Sequence, residues 1–286
     1  MSSLRPPPRD VIEAEQRLLQ ALEAYAGGAV VALSGGSDSS LLLHAAAEVL
    51  GPHNLLAATS RSESLPAEDL AEAGALAASL GVEHVPLSGG EVDIEAFRRN
   101  GPDRCFHCKL HLYGEMRELA ERRGLAHVLD GTNADDGEGH RPGLAAGERR
   151  DVASPLAEAG LSKVWVRAVA RHRGLASWDK PANACLASRF PYGTTIDRAD
   201  LLRVQRAERV LRDLGFRDLR VRFHDPVARI EVPLEQVSAL LAPGVRERVV
   251  DGLRAEGFHW VAVDLEGLRH GSLDEPLRRE PAHDGA

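Results

Sequence analysis

Two sets of residues in this sequence are spaced for chemistry. The first is Ser34-Gly35-Gly36-Ser37-Asp38-Ser39, between the apolar run Ala29–Leu33 and the apolar stretch Ser40–Leu50. With a strand before it and a helix after it, the backbone N–H groups at the helix start and the helix dipole can receive an anion. Two glycines let the backbone approach a phosphate closely, and three serines offer hydroxyl donors. Neither the Gly-x4-Gly-Lys-Ser/Thr of a Walker loop nor the Gly-x-Gly-x-x-Gly dinucleotide fingerprint is present here. A plain Gly-Ser turn between strand and helix has the same composition, so spacing alone leaves both readings open.

The second set is the three cysteines, Cys105, Cys108 and Cys185. Cys105 and Cys108 form a Cys-x-x-Cys, which is half of a structural zinc site; His107 and His111 are the nearby residues able to complete it. A thiol pair at a helix start also suits redox chemistry, and three unrelated thiols remain the plain alternative. Cys185 lies in a polar stretch with Lys180 before it and Arg189 after it, electropositive surroundings that suit a reactive or metal-ligating sulfur. Three thiolates converging on one site can hold three irons of a cubane cluster and leave the fourth open.

A smaller signal lies further on. Arg220 and Arg222 alternate along an expected strand and so share a face, where two guanidinium groups suit a phosphomonoester. Glu231 on the partner strand and Glu208 on the preceding helix are placed to bind a cation or to brace those arginines. A solvated sheet face with surface ion pairs is the competing reading. His44 reads as a packed or surface histidine, and Trp165 and Trp178 as packing residues.

These residues need elements to position them. Val11, Leu18, Leu22 and Tyr25 recur at helical spacing and predict a helix from Asp10 to Tyr25. Strands are expected at Ala29–Leu33, Leu55–Ser60, Val82–Leu87 and His127–Asp130. Helices are expected at Ser40–Leu50, Pro66–Leu80, His111–Arg123 and Ser162–Arg173, the first two closed by Gly51 and Gly81. Strands alternating with helices of this length predict an α/β fold, a doubly wound parallel sheet over residues 1–188. Residues Thr132 to Arg150 read as a long active-site or mobile loop. From 189 to 272 the rhythm changes to a helix, Asp197–Leu214, paired strands turning at His224-Asp225-Pro226, and a strand at His259–Asp264. That is a second, smaller α+β domain, followed by a charged tail, 273–286, expected to be disordered.

The bulk properties narrow the function. With 43% hydrophobic and 27% charged residues the chain is an ordinary globular enzyme by composition. Its formal charge of −8 argues against gripping a polynucleotide and for a small-molecule substrate. Met1–Asp10 lacks the apolar core of a signal peptide, and no apolar run reaches membrane-spanning length. Three cysteines, an odd number, argue against a disulfide framework. The expectation is a reduced, cytoplasmic location with no membrane partner.

The hexapeptide resembles the PP-loop of the ATP pyrophosphatase superfamily, Ser-Gly-Gly-x-Asp-Ser, which implies a domain that cleaves ATP to AMP and pyrophosphate. Gly131-Thr132-Asn133 fits a nucleotide-side loop of that fold, and Thr59 is grouped with it as a nucleotide contact. More specifically, Asp103-Arg-Cys-Phe-His-Cys-Lys109, Asp130 to Asp136, Arg141-Pro-Gly143, Ser154-Pro-Leu156, Lys180-Pro-x3-Cys-Leu-Ala-Ser-Arg-Phe-Pro-Tyr-Gly-Thr194 and Arg220-Val-Arg-x5-Ala-Arg-Ile-Glu-Val232 are similar to the LarE family. The similarity runs from the first strand to about Leu273. That family builds the nickel-pincer nucleotide cofactor of lactate racemase. The resemblance implies that Mg-ATP adenylylates a carboxylate of pyridinium-3,5-biscarboxylic acid mononucleotide and that sulfur then displaces AMP. It implies a homohexamer, and substrate contacts from Lys109, Arg189, Arg220, Arg222, Glu208 and Glu231. Single-cysteine members sacrifice the residue matching Cys185. The Cys-x-x-Cys here resembles a branch in which Cys105, Cys108 and Cys185 hold a [4Fe-4S] cluster, a departure from the single-cysteine members.

Other classes are weighed against this reading. A PP-loop tRNA thiolase needs a polynucleotide grip, which the acidic balance and the lack of any concentrated basic tract disfavour. An amide-forming NAD synthetase-like ligase has no use for three cysteines. A non-enzymatic nucleotide sensor leaves the Cys185 stretch unexplained.

Overall fold

Five strands, β1 (Ala29–Ala32), β2 (Leu55–Ser60), β3 (Glu83–Leu87), β4 (His127–Leu129) and β5 (Val152–Ala153), form a parallel sheet in the order β3-β2-β1-β4-β5. The computed structural model describes residues 8–62, 65, 67–137, 142–180, 185–269 and 271–275. The chain divides into two compact units, residues 1–97 with 102–183, and residues 98–101 with 184–286.

In the first unit the strands alternate with α1 (Pro8–Leu22), α2 (Ser37–Leu50), α3 (Ala67–Ser79), α4 (Glu95–Arg98), α5 (Arg104–Arg123), α6 (Pro142–Arg149), α7 (Pro155–Glu158) and α8 (Lys163–His172). The β1 sequence Ala-Val-Val-Ala is apolar on both sides because helices cover both faces of the sheet. Ala29 and Val31 join the core built with Leu18, Leu41 and Val166, from α1, α2 and α8. Val30 joins the opposite core with Tyr113, Met116 and Ala146, from α5 and α6. Each buried valine, leucine or methionine side chain among these contributes about 1.5–3 kcal/mol. This is the doubly wound α/β fold.

The strand order matters for function. β1 pairs with β2 on one side and with β4 on the other. The chain runs outward from β1 through β2 to β3 and then returns to β4. That reversal opens a crevice beyond the carboxyl ends of β1 and β4, the usual ligand site of such sheets. The segments that follow those two strands are Ser34–Ser39 and Asp130–Asn133.

Two local expectations change. The stretch from Thr132 to Arg150, expected as a loop, contains a turn at Ala134–Gly137 and the helix α6. Gly143 and Gly147 weaken the helix signal, and at Gly143 the missing side chain lets Lys109 of α5 come close. A Cβ on Gly143 would sit 2.7 Å from Lys109 Cδ, and one on Gly147 would touch the Tyr113 ring at 3.8 Å. The helix expected from His111 starts at Arg104, so Cys105 and Cys108 lie inside its first turn.

The second unit holds α9 (Arg198–Asp213), β6 (Arg220–His224), β7 (Val227–Glu231), α10 (Val237–Leu240), α11 (Val245–Ala255) and β8 (Trp260–Val263). Asp197 caps α9 by accepting from the Asp200 N–H at 2.9 Å. β6 and β7 are antiparallel, and β8 adds parallel to β7. Val221, Phe223, Ala228 and Ile230 are buried, while the alternating Arg222, Arg229 and Glu231 share the other face. Ser272–Asp274 forms a short turn; the rest of the expected tail, 276–286, lies outside the described residues, as do Arg141 and residues 181–184 of the quoted motifs. Among the described residues no helix is long and apolar enough to cross a membrane.

Candidate functional site

The turn between β1 and α2 is shaped by close approaches. Gly35 has φ +74°, and a Cβ there would stand 2.9 Å from the Asp69 carbonyl oxygen. Gly36 is the N-cap of α2 with no side-chain cap, so the first N–H groups of the helix keep their capacity for an anion. Ser39 Oγ accepts from the Ser34 N–H at 3.2 Å and donates to the Gly36 carbonyl at 3.3 Å, which folds the loop over its own helix start.

Two lysines hold this loop. Lys180 Nζ donates to the Gly35 carbonyl at 3.1 Å and to Asp69 and Glu72, each at 2.6 Å. Burial works against the Lys180 charge, but the hydrogen bonds to both carboxylates outweigh it and raise its pKa. Lys163 Nζ donates to Ser37 Oγ at 3.0 Å and pairs with Asp38. Asp38 also accepts from Asn133 Nδ2 at 3.3 Å. The loops after β1 and β4 are thereby in contact, and a Cβ on Gly131 would lie 2.9 Å from the Ser39 nitrogen.

Asp130 anchors the second loop. Its carboxylate accepts from Tyr113 Oη at 2.5 Å, Ser154 Oγ at 2.7 Å, Thr132 Oγ1 at 2.8 Å and the Thr132 N–H at 3.1 Å. Lys109 Nζ stands 3.7 Å away. Burial opposes ionisation of Asp130, but the Lys109 charge and these hydrogen bonds hold its carboxyl below the usual range. Burial, then the Asp130 charge, pushes the Tyr113 phenol far above its usual value. Tyr113 and Lys109 belong to α5, which carries Cys105 and Cys108 three residues apart, on one face of its first turn. The Asp130 carboxylate therefore ties the nucleotide-side loop to the cysteine helix. Thr59 is buried at the end of β2, donates to the Leu33 carbonyl at 2.6 Å and meets His84 Nε2 at 2.9 Å. It braces the strand end that leads into the Ser34–Ser39 loop.

In the second unit Cys185 is exposed at the start of a short 3-10 turn, Leu186–Arg189. Arg189 and Glu208 form a bidentate pair of 2.7 and 3.1 Å with both residues at 0% exposure. Burial would raise the Glu208 pKa, but the Arg189 charge and its hydrogen bonds hold it down. Arg222 donates to Glu231 at 2.7 Å, and its buried Nε has no acceptor among the described residues. Burial, with the nearby charges of Arg189 and Arg222, brings the Arg220 pKa down to about 10. Arg189, Arg220 and Arg222, with Arg212 and Arg229, thus surround Glu208, Glu231 and Asp264, an arrangement with positive charge in excess. His44, expected as a packed or surface residue, meets Arg173 Nη1 at 3.0 Å.

A family model described as NAD synthase matches residues 13–99. An uncharacterized protein of Synechocystis sp. is 41% identical over 88% of this chain and 93% of its own length. The pyridinium-3,5-bisthiocarboxylic acid mononucleotide synthase of Lactiplantibacillus plantarum is 38% identical over 87% of this chain and 90% of its own length. The chain belongs to the LarE family. That family comprises ATP-dependent sulfurtransferases of the PP-loop superfamily. An NH(3)-dependent NAD(+) synthetase of Methanococcoides burtonii is 34% identical over 27% of this chain, so that likeness covers only a part of it.

Within this LarE-family chain two groups at the nucleotide loop escape a reading of contiguous motifs, Lys163 and the Tyr113–Asp130 pair. Lys163 did leave one signal. A cation in the first turn of a helix opposes the helix dipole, so its presence at the start of α8 calls for a nearby anion, here Asp38.

The three cysteines are all thiols, the soft donor type that an iron–sulfur cluster requires. Cys105 and Cys108 are about one helical turn apart, a spacing that lets both thiols face the same side of α5. Among the described residues no three of His, Cys, Asp and Glu stand together as a metal site.

Proposed function

We propose that the chain converts pyridinium-3,5-biscarboxylic acid mononucleotide to its thiocarboxylate forms at the expense of Mg-ATP. A ring carboxylate oxygen attacks the α-phosphorus, the bond to the β-phosphate breaks, and pyrophosphate leaves. A sulfur nucleophile then attacks the acyl carbon, the carbon–oxygen bond to AMP breaks, and a thiocarboxylate remains. One observation carries the first step: the Ser34–Ser39 and Asp130–Asn133 loops meet at the sheet's switch point, with Lys163 on Ser37 and Asp38. Uncapped helix N–H groups and a lysine supply what a leaving pyrophosphate needs.

Arg220 and Arg222 bind the 5′-phosphate of the pyridinium nucleotide in this reading. The excess of guanidinium groups over carboxylates around β6 and β7 supports it. Lys109, beside an Asp130 carboxylate already hydrogen-bonded by three side chains and a backbone N–H, keeps its own donors for the substrate.

For the sulfur source we favour a [4Fe-4S] cluster on Cys105, Cys108 and Cys185, which when bound would supply a sulfide at its open iron. Sacrifice of Cys185 is the second reading, and the exposure of its thiol favours it. The protein's own part in either is to hold Cys105 and Cys108 at the start of α5 and Cys185 at a short, anchored turn. Incubation with Mg-ATP and the biscarboxylate nucleotide, followed by mass spectrometry, tests the proposal. Thiocarboxylate with stoichiometric AMP is expected, and ATP consumed with no sulfur-containing product would refute it.

A further inference from the structure

The turn that presents Cys185 is fastened from its buried side. Leu186 and Ala187 are at 0% exposure, and the Ser188 N–H closes on the Cys185 carbonyl at 2.9 Å. Arg189 is the largest fully buried side chain among the described residues. Its Nε and Nη2 are spent on Glu208, while Nη1 donates to Ser188 Oγ at 2.9 Å and reaches the Cys185 carbonyl at 3.5 Å. Arg222 Nη1 takes the Ser188 carbonyl at 2.7 Å. Glu208 in turn accepts from Arg212 at 2.8 Å and from the Val221 N–H at 3.1 Å.

A substrate ligand must present a donor or acceptor where the substrate can reach it. Neither Arg189 nor Glu208 has exposed surface, and Glu208 is hydrogen-bonded on both oxygens. The guanidinium instead spends its remaining nitrogen on the segment that carries the sulfur. We propose that Arg189, braced by Glu208, is a positioning residue for Cys185, fixing residues 185–188 so that the thiol is offered from a rigid turn. A 3-10 turn of this length has poor hydrogen-bond geometry of its own and needs such a support. Lysine cannot replace the fork, because a point ammonium cannot span Glu208 and Ser188 together. The inference rests on Cys185 serving sulfur transfer, as proposed above.

The test uses the full chain with Arg189→Lys and Ser188→Ala, the second of which keeps the buried pair and therefore the fold. Pyrophosphate release and thiocarboxylate formation are followed in one reaction with Mg-ATP and the biscarboxylate nucleotide. Sulfur transfer should fall by roughly 10- to 100-fold in Arg189→Lys, the scale of a displaced reacting group, and by a smaller factor in Ser188→Ala. The KM for the nucleotide should stay put. A raised KM with an unchanged maximal rate would make Arg189 a substrate ligand and overturn the inference. If the parent protein makes no thiocarboxylate at all, the functional reading fails instead, and a second readout decides the positioning. In a Cys105→Ser, Cys108→Ser background Cys185 is the sole thiol, and its alkylation by iodoacetamide reports its setting across pH. Both variants should alkylate faster at high pH, since the loosened turn opens more directions of approach. Parent-like profiles in both would overturn the inference on their own.

Discussion

Lys163 and Asp38 each occupy the first turn of a helix, α8 and α2, and they form an ion pair at the Ser34–Ser39 loop. The carboxylate compensates a lysine that its own helix dipole disfavours by about 0.3–1 kcal/mol. The same lysine donates to Ser37 at 3.0 Å, inside the loop. A bound triphosphate would compete with Asp38 for that ammonium. Lys163→Met should therefore weaken ATP binding by roughly tenfold or more, the worth of one charge-assisted hydrogen bond at about 1.5–3 kcal/mol. Titration calorimetry with ATP checks this, and parent-like affinity would remove Lys163 from the nucleotide site.

The products of turnover should be AMP and pyrophosphate. The Gly36 cap leaves the first N–H groups of α2 without a side-chain partner, and they stabilise charge that develops on departing phosphates. Chromatography of the spent nucleotide settles the matter. ADP and phosphate would contradict the placement of the loop.

Asp130 should make the first unit sensitive to acid. Its folded pKa lies below the unfolded value of about 4. Its contribution is therefore complete above that pH and is lost as the pH falls through the folded value. Asp130→Asn should lower stability at pH 7 by on the order of 1–3 kcal/mol, because Tyr113, Ser154 and Thr132 lose a charged acceptor. The variant should then lose less than the parent on going from pH 5 to pH 2. Urea melts across that range give the comparison; parallel losses would mean that other carboxylates govern acid unfolding.

These relationships differ in how far the sequence reveals them. The Ser34–Ser39 loop is legible because all its donors are contiguous, and the alternation of strands and helices around it has strong periodicity. Glu208 and Arg189 lie 19 residues apart on different elements. The strand spacing offers Glu231 as a brace for Arg220 or Arg222, and it pairs with Arg222, but nothing local tells that Glu208 braces Arg189. α6 is hidden by two glycines, and the close approach of Lys109 at Gly143 exists only in the folded chain. β5 is two residues long, below any periodic signal.

Arg220 and Arg222 share a strand but should respond differently to removal. Arg222→Ala leaves the buried Glu231 with Arg229 at 3.1 Å as its remaining ion-pair partner among the described residues, and breaking such a pair costs about 3–5 kcal/mol. Arg220 lies among like charges, so Arg220→Ala relieves repulsion while it removes a phosphate donor. The expected outcome is a large fall in thermal midpoint for Arg222→Ala and a small change for Arg220→Ala, with weaker binding of the nucleotide substrate in both. Equal midpoints for the two variants would show that Arg222 and Glu231 are not a structural pair.

The cysteines allow the two sulfur sources to be separated, because they make opposite demands. If Cys185 is sacrificed, its sulfur attacks the acyl carbon and AMP leaves. Loss of the Cα proton then breaks the Cβ–S bond and leaves dehydroalanine. The chain would lose the mass of hydrogen sulfide after one turnover, and changes at Cys105 and Cys108, on the first turn of α5, would matter little. If a cluster serves, all three thiolates are ligands, and loss of any one should remove iron and activity together. The chain would then keep its mass and turn over repeatedly when sulfide is supplied. We expect the second pattern, because Cys105, Cys108 and Cys185 are the only cysteines in the sequence, three thiols being the number of ligands a cubane cluster with one open iron takes. Iron content and visible absorbance of protein purified without oxygen provide the first check. Full multiple-turnover activity in a Cys105→Ala, Cys108→Ala double variant would exclude the cluster, and dehydroalanine at residue 185 in that protein would establish sacrifice in its place.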